Sequence, residues 1–185
     1  MKQTILKGLG AAILLLAGTK LATAQDPKLT DPEIAHVAVT ANQIDISYAE
    51  IAQQRSKNPD ILTFARTMAS DHKAVIDQAV ALVTKLHVTP ADNAVSKKLL
   101  ADAEKTQKML RSTSGKAFDK AYIDNEVAYH KAVIAAVESL LIPQSKNGEL
   151  KDLLQKVDPT LKTHLEHAEM VQSNLKGNGK QMGKM

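Results

Sequence analysis

The chain has 185 residues, with 24 Lys and Arg against 20 Asp and Glu, six His and no Cys. The lack of cysteine excludes disulfides, thiolate metal ligands, cysteine nucleophiles and a lipid-bearing cysteine behind an export signal. Aromatic residues are 3% of the chain, so a nucleic-acid face, which needs clustered Lys and Arg with stacking aromatics, is not expected.

Residues 1–24 read as a signal peptide. Lys2 and Lys7 form a charged start, Leu9 to Gly18 an apolar stretch, and Ala22-Thr23-Ala24 a small-x-small cleavage site before Gln25. The apolar stretch is short for a membrane span, which needs about 20 residues. Loss of Lys2, Lys7 and Lys20 leaves 21 basic against 20 acidic residues, so the mature chain carries about +1 rather than +4. A periplasmic or secreted protein with no transmembrane span after signal removal is expected. Residues 25–175 suit a single domain with one core.

Helical periodicity begins after Pro32, and no segment alternates like a strand. Asp31-Pro32-Glu33 is a helix start, with a cap, a proline and an acid in the first turn. The first helix should run from Asp31 to about Ser56. Asn58-Pro59-Asp60 repeats the signature and opens a second helix that reaches about His87. The short link implies an antiparallel pair. Residues 91–113 are polar with few apolar positions and read as a helical crossover ending at Ser112-Thr113-Ser114-Gly115. A third long helix should span about Lys116 to Ile142 and stop at Pro143. A fourth should span about Glu149 to Leu175, kinked at Pro159, which costs roughly 3 kcal/mol in a helix interior. Residues 176–185 read as a flexible tail.

A crossover of this length can return the chain along the bundle, so the second and third long helices run parallel. That is the ferritin-like connection. The expected fold is therefore all-α: a ferritin-like four-helix bundle with an extra crossover helix between the second and third long helices.

Ionisable residues interrupt the inward seams. His72 stands among Met68, Val75 and Ala79, and His164 among Leu161, Ala168 and Val171. Glu126 and His130 share the seam of Ile123, Val133 and Val137. The four-and-three steps mark these as core positions. Asp45, His72, His130 and His164 each lie about 14 or 15 residues into their helices, and at ~1.5 Å per residue they share one level. Burying such groups costs roughly 2–7 kcal/mol even for a neutral polar group unless each finds a partner. A polar layer across mid-bundle is expected, with His72, His130, His164, Glu126 and Asp45 as candidate metal ligands.

The stretches Arg66 to His72, Gly115 to Tyr122, His130, and Pro159 to His164 resemble the signatures of the bacterial domain-of-unknown-function family 4142. The resemblance spans about residues 33 to 174. It implies an exported protein with a ferritin-like helical bundle and no established activity. Asp45 falls where that family commonly has a glutamate, and Asp158 replaces a leucine.

Imidazole and carboxylate ligands suit iron, zinc, manganese or copper. Di-iron bundles pair a glutamate on two helices with Glu-x-x-His on the other two. Here Ala69 and Leu161 stand three residues before His72 and His164, so two bridging carboxylates are missing. A mononuclear site of His72, His130, His164 and one carboxylate stays open. Two alternatives stay open. One is a purely architectural histidine–carboxylate layer in a structural or interaction module of the cell envelope, with a homo-oligomer or envelope protein as partner. The other is an iron- or manganese-dependent redox enzyme. No catalytic triad and no Gly-rich phosphate loop appears, and the balance leans against an enzyme.

Outside the layer, Glu33 and His36 should be at the surface, and His87 should complement a helix dipole. His167 is either a second ligand or solvated. Asp71 points about 100° away from His72 and could orient an imidazole from outside. Asp119 should serve the first turn of its helix. Tyr48, Tyr122 and Tyr129 read as core residues with hydrogen-bonded hydroxyls.

Overall fold

The structure is a computed structural model that describes the backbone of residues 27–182 and the side chains of residues 27–176. The expected signal peptide, residues 1–24, lies outside the described residues.

Helix α1, Asp31–Arg55, starts one residue earlier than its proline suggests. Thr30 is the cap, and the Glu33 carboxylate accepts from its N–H at 2.8 Å and from its hydroxyl at 2.7 Å. Asp31 instead accepts from the Lys146 and Asn147 N–H groups at 2.8 and 3.0 Å, tying this end to a distant turn. Helix α2, Pro59–Lys85, is capped by Asn58, whose side chain accepts from Asp60 and Ile61. Helix α3 is Ala94–Ser112 and α4 is Gly115–Ala136.

Beyond Ala136 the helix widens into a π-helical turn, Val137–Leu141, then a short turn α5, Ile142–Gln144. A regular α-helix here would drive the Pro143 ring into the Ser139 carbonyl. Widening, with the Ile142 N–H bonded to the Val137 carbonyl, relieves that clash. Sequence periodicity gives no sign of it.

Helix α6, Gly148–Met182, passes unbroken through Pro159 and beyond the end expected near Leu175. Pro159 and Gln155 are both exposed, so the carbonyl that Pro159 cannot serve faces water.

Chain direction follows from contacts between elements. Phe64 meets Tyr122 at 6.2 Å between ring centroids, and eight residues further along both helices His72 meets His130 at 5.7 Å. Helices α2 and α4 are therefore parallel. Asp71 meets His164, while Lys85 pairs with Glu149, so α6 runs antiparallel to α2. Helix α3 lies on α1 and runs with it. Asn93 donates to the Glu33 carbonyl at 3.2 Å and Gln107 to the Ser47 hydroxyl at 2.8 Å. Only Ser96, Ala103 and Leu110 of α3 are buried, so the core belongs mainly to α1, α2, α4 and α6. Every described element is helical, and no described helix is long and apolar enough to cross a membrane.

The core divides in two. One cluster gathers Phe64, Met68, Phe118 and Tyr122; the other gathers Ile34, Leu141, Leu150 and Leu154. The ionisable layer lies between them.

The end of α2 uses an uncommon residue. His87 is exposed with φ of +52°, and the Val88 N–H bonds back to the Val83 carbonyl. This is the left-handed helix stop that glycine usually occupies. His87→Gly is expected to stabilise the protein by about 0.5–1 kcal/mol, after the entropy cost of glycine. Urea unfolding at neutral pH checks it; an unchanged midpoint would show that His87 is unstrained.

Candidate metal centre

Four helices each send side chains to one level. Asp45 comes from α1, His72 from α2, Glu126 and His130 from α4, and His164 from α6. None is more than 4% exposed. The centroids of the three imidazoles lie 5.2 to 5.7 Å apart.

Each ring is held through one nitrogen. His72 Nδ1 is 2.7 Å from Asn42 Oδ1. The Asn42 amide donates to the Ala38 carbonyl at 2.8 Å, which turns its oxygen toward His72. His130 Nδ1 is 3.0 Å from its own helix's Glu126 carbonyl. His164 Nε2 is 3.0 Å from Asp71 Oδ2. Amide and carbonyl oxygens only accept, and so does an ionised carboxylate. The held nitrogen therefore carries the proton, and the other keeps its lone pair. Those others, His72 Nε2, His130 Nε2 and His164 Nδ1, have no hydrogen-bond partner. Neither do both carboxylate oxygens of Asp45 and of Glu126. Seven buried ring-nitrogen and carboxyl-oxygen atoms thus share one layer without a hydrogen-bond partner, against the rule that buried polar atoms are paired.

Their spacing is compatible with a shared ion. Asp45 Oδ2 is 3.5 Å from His72 Nε2 and 3.6 Å from His130 Nε2. Tetrahedral ligands at 2.0–2.1 Å from an ion lie about 3.3 Å apart. One ring nitrogen each from His72, His130 and His164 falls within 4.8 Å of the others, so all three lie within about 2.8 Å of a common centre. Asp45, Glu126 and His130 form a second such group. Glu126 reaches His130 Nδ1 at 3.6 Å but lies on the side already held by the backbone. The donor set fits a transition metal: three oriented imidazoles, one carboxylate and outer partners for each ring. Asp71, off the seam, orients His164 from outside as its direction allows. Asn42 was not among the sequence candidates, although it sits one turn before Asp45 on the same face and could have been found that way.

Burial decides the charge of the metal-free layer. Desolvation pushes Asp45 up to about 8, and desolvation plus the Asp45 charge pushes Glu126 well above its usual range. Desolvation, then the neighbouring imidazoles, lowers His72 to about 3. Desolvation likewise lowers His130 to about 4, against its hydrogen bond to the Glu126 carbonyl, and lowers His164 against the pull of Asp71. The short His–Asp45 distances are therefore not ion pairs at neutral pH, because the low histidine values keep the rings uncharged.

A pH profile follows. Below 6.5 the unfolded chain protonates its histidines while the folded layer resists, so stability falls on acidification toward pH 4. Above 3.8 the unfolded Asp45 ionises while the folded one holds its proton, so stability is lost as pH rises toward 8. Three imidazoles outweigh two carboxyls on the acid side, and only the carboxyls act above 6.5. The metal-free protein is expected to be most stable near pH 6.5. Thermal unfolding from pH 4 to 8.5 in chelator measures this; a flat profile between 6.5 and 8 would show the carboxyls to be solvated.

The other candidates are placed elsewhere. Asp119 does not serve its helix start: it is buried and accepts from Ser56 Oγ at 2.6 Å, joining α4 to the α1–α2 link. His36 is half-buried rather than at the surface, with Nδ1 unpartnered. His167 stacks edge-on against Phe64 at 5.1 Å, away from the layer. Tyr129 donates to the Ala41 carbonyl at 2.8 Å and packs edge-on against Tyr48 and His130. The buried Tyr122 hydroxyl has no hydrogen-bond partner, contrary to expectation.

No curated protein matches the sequence. The fold is similar to that of a solved structure, CopM in the Cu(II)-bound form, at 14% sequence identity and a TM-score of 0.60, over 80% of this chain and 99% of that one. At that identity the likeness speaks for the fold alone. The family described as "Domain of unknown function (DUF4142)" matches residues 18–171, and the chain belongs to that family.

Proposed function

We propose that this protein is an exported, non-enzymatic metal-binding protein that holds one divalent transition metal in the layer of a ferritin-like bundle. His72, His130, His164 and Asp45 are the ligands. Glu126 is a neighbouring carboxyl outside this set, and its backbone carbonyl positions His130. The observation that carries this reading is the set of seven buried ring-nitrogen and carboxyl-oxygen atoms, on four helices at one level, without hydrogen-bond partners. A cation would displace the Asp45 proton and give that carboxylate and the three imidazole lone pairs a shared partner that no protein group supplies. A purely architectural layer would leave them unsatisfied, at about 1–3 kcal/mol for each buried group. Redox catalysis at paired irons is disfavoured by Ala69 and Leu161, where bridging carboxylates would stand.

Imidazoles with a single carboxylate suit copper and zinc better than manganese, and the CopM structure was solved with Cu(II). Copper is therefore the first metal to test. Chelator-stripped protein titrated with Cu(II), Zn(II) and Fe(II) is expected to take up one ion per chain. Metal at a hundredfold excess over Kd should stabilise the fold by about 2.7 kcal/mol. No binding tighter than about 10 μM, with an unshifted melting curve, would overturn the proposal. Export is tested separately: the mass of protein from the periplasmic fraction should place its first residue at Gln25.

A further inference from the structure

A cavity of about 380 Å³ adjoins the layer. His72, His130 and His164 stand at one end of it, and Leu82, Leu141 and Leu150 at the other. From His72 to Leu82 is ten residues of α2, about 15 Å of helix. From His130 to Leu141 the distance along α4 and its π turn is similar. The space is therefore long and narrow, parallel to the helices. Away from the layer its walls are aliphatic, including Ala79, Val83, Val133 and Leu154.

Protein interiors rarely keep voids much larger than a water molecule. An apolar void costs stability in proportion to its volume. A cavity of about 150 Å³ already holds a six-carbon ring, and ligand pockets start at about 300 Å³. The π turn and the stretch of α6 around Pro159 both border this space. The π turn contributes Val137 and Leu141, and the stretch around Pro159 contributes Val157 and Leu161. Single π turns inside α-helices often mark functional sites. At the far end a shallow surface groove shares Leu82 and Leu153 with the cavity and carries Gln78, Glu149 and Asp152.

We infer that the cavity is a binding site for an unbranched hydrocarbon chain of about ten to fifteen carbons, inserted between α2 and α6 from that groove. The chain lies along the aliphatic walls with its tail toward the layer. Its polar end stays at the mouth. Glu149 there is paired with Lys85, so Asp152 supplies the charge that disfavours an anionic head, and an alkyl alcohol or ester is preferred over a carboxylate. The site does not rest on the metal reading, because it uses the walls beside the layer and none of the proposed ligand atoms.

The test is calorimetric titration of the full chain with 1-decanol and, separately, with decanoate, on both metal-free and zinc-treated protein. One decanol per chain is expected in both forms, with a negative heat-capacity change and decanoate bound at least tenfold more weakly. Ala79→Trp and Val133→Phe fill the space from α2 and α4. Each should weaken decanol binding at least tenfold while keeping a cooperative melt and the metal uptake of the unaltered protein. Two substitutions on different helices guard against one failing to fold. Absence of decanol binding up to its solubility, or unchanged affinity in a folded filled variant, would overturn the site. Decanoate binding as tightly as decanol would overturn the assignment of the mouth. A protein that binds decanol but no metal would leave this inference standing and remove the one before it.

Discussion

His72→Ala is expected to abolish metal uptake and to destabilise the metal-free protein by about 2–4 kcal/mol. The loss of binding follows from position. His72 Nε2 is one of three unpartnered imidazole nitrogens and lies 3.5 Å from Asp45 Oδ2. The loss of stability has two sources. The ring is buried, so truncation opens a cavity. Asn42 Oδ1 also loses the donor it holds at 2.7 Å. Stability alone would not identify a ligand, so Phe64→Ala is the control. Phe64 is fully buried in the cluster on one side of the layer, and its truncation should cost about 3–5 kcal/mol yet leave the ligands in place. Metal titration of both variants at a temperature where each is folded separates the roles. If His72→Ala binds as well as the unaltered protein, the layer is not the metal site.

Asp45→Asn should move stability and binding in opposite directions. The amide keeps the shape of the side chain and removes a carboxyl that burial has pushed up to about 8. Its NH₂ can also donate toward His72 Nε2 or His130 Nε2, which lie 3.5 and 3.6 Å from Asp45 Oδ2. At pH 8 the metal-free variant should melt several degrees higher, at about 2–4 °C per kcal/mol for a chain of this size. Its metal affinity should fall at least a hundredfold, which is about 2.7 kcal/mol. A residue selected for stability would not behave so; a ligand kept at the expense of the metal-free fold would. Equal affinities would remove Asp45 from the ligand set, and a lower melting temperature at pH 8 would show that its carboxylate is already satisfied.

Much of this arrangement is legible in the chain because it depends on backbone periodicity. The steps that place His72 beside Met68 and Val75 also point it inward. The capping signals at Pro32 and Pro59 allow heights to be measured along each helix, which puts Asp45 and His72 on one level. What is not legible depends on side-chain torsions and on the spacing between helices. Nothing in the sequence says that His164 is held through Nε2 while His72 and His130 are held through Nδ1, since that depends on where Asp71, Asn42 and the Glu126 carbonyl fall. The π turn answers to a clash at one proline and leaves the apolar pattern intact. Asp119 shows the reverse error: its position suggests a local role at a helix start, but Ser56, distant in sequence, comes close enough to claim it. The cavity depends on how far apart α2 and α6 stand, which no local pattern encodes.

The distribution of the four proposed ligands over four helices bears on the order of folding. An early α1–α2 hairpin would present only Asp45 and His72, and the α4–α6 pair only His130 and His164. Neither half offers enough ligands to retain an ion against water. Capture must wait until the halves dock, after the rate-limiting step if docking is the last event. The ion would then leave the folding rate nearly unchanged and slow unfolding, because contacts absent from the transition state act on that limb alone. Seen this way the layer is a latch. In a protein with no disulfide to lock its folded form, metal would set how long a folded molecule survives proteases, and chelation would shorten that lifetime without touching the speed at which new molecules fold.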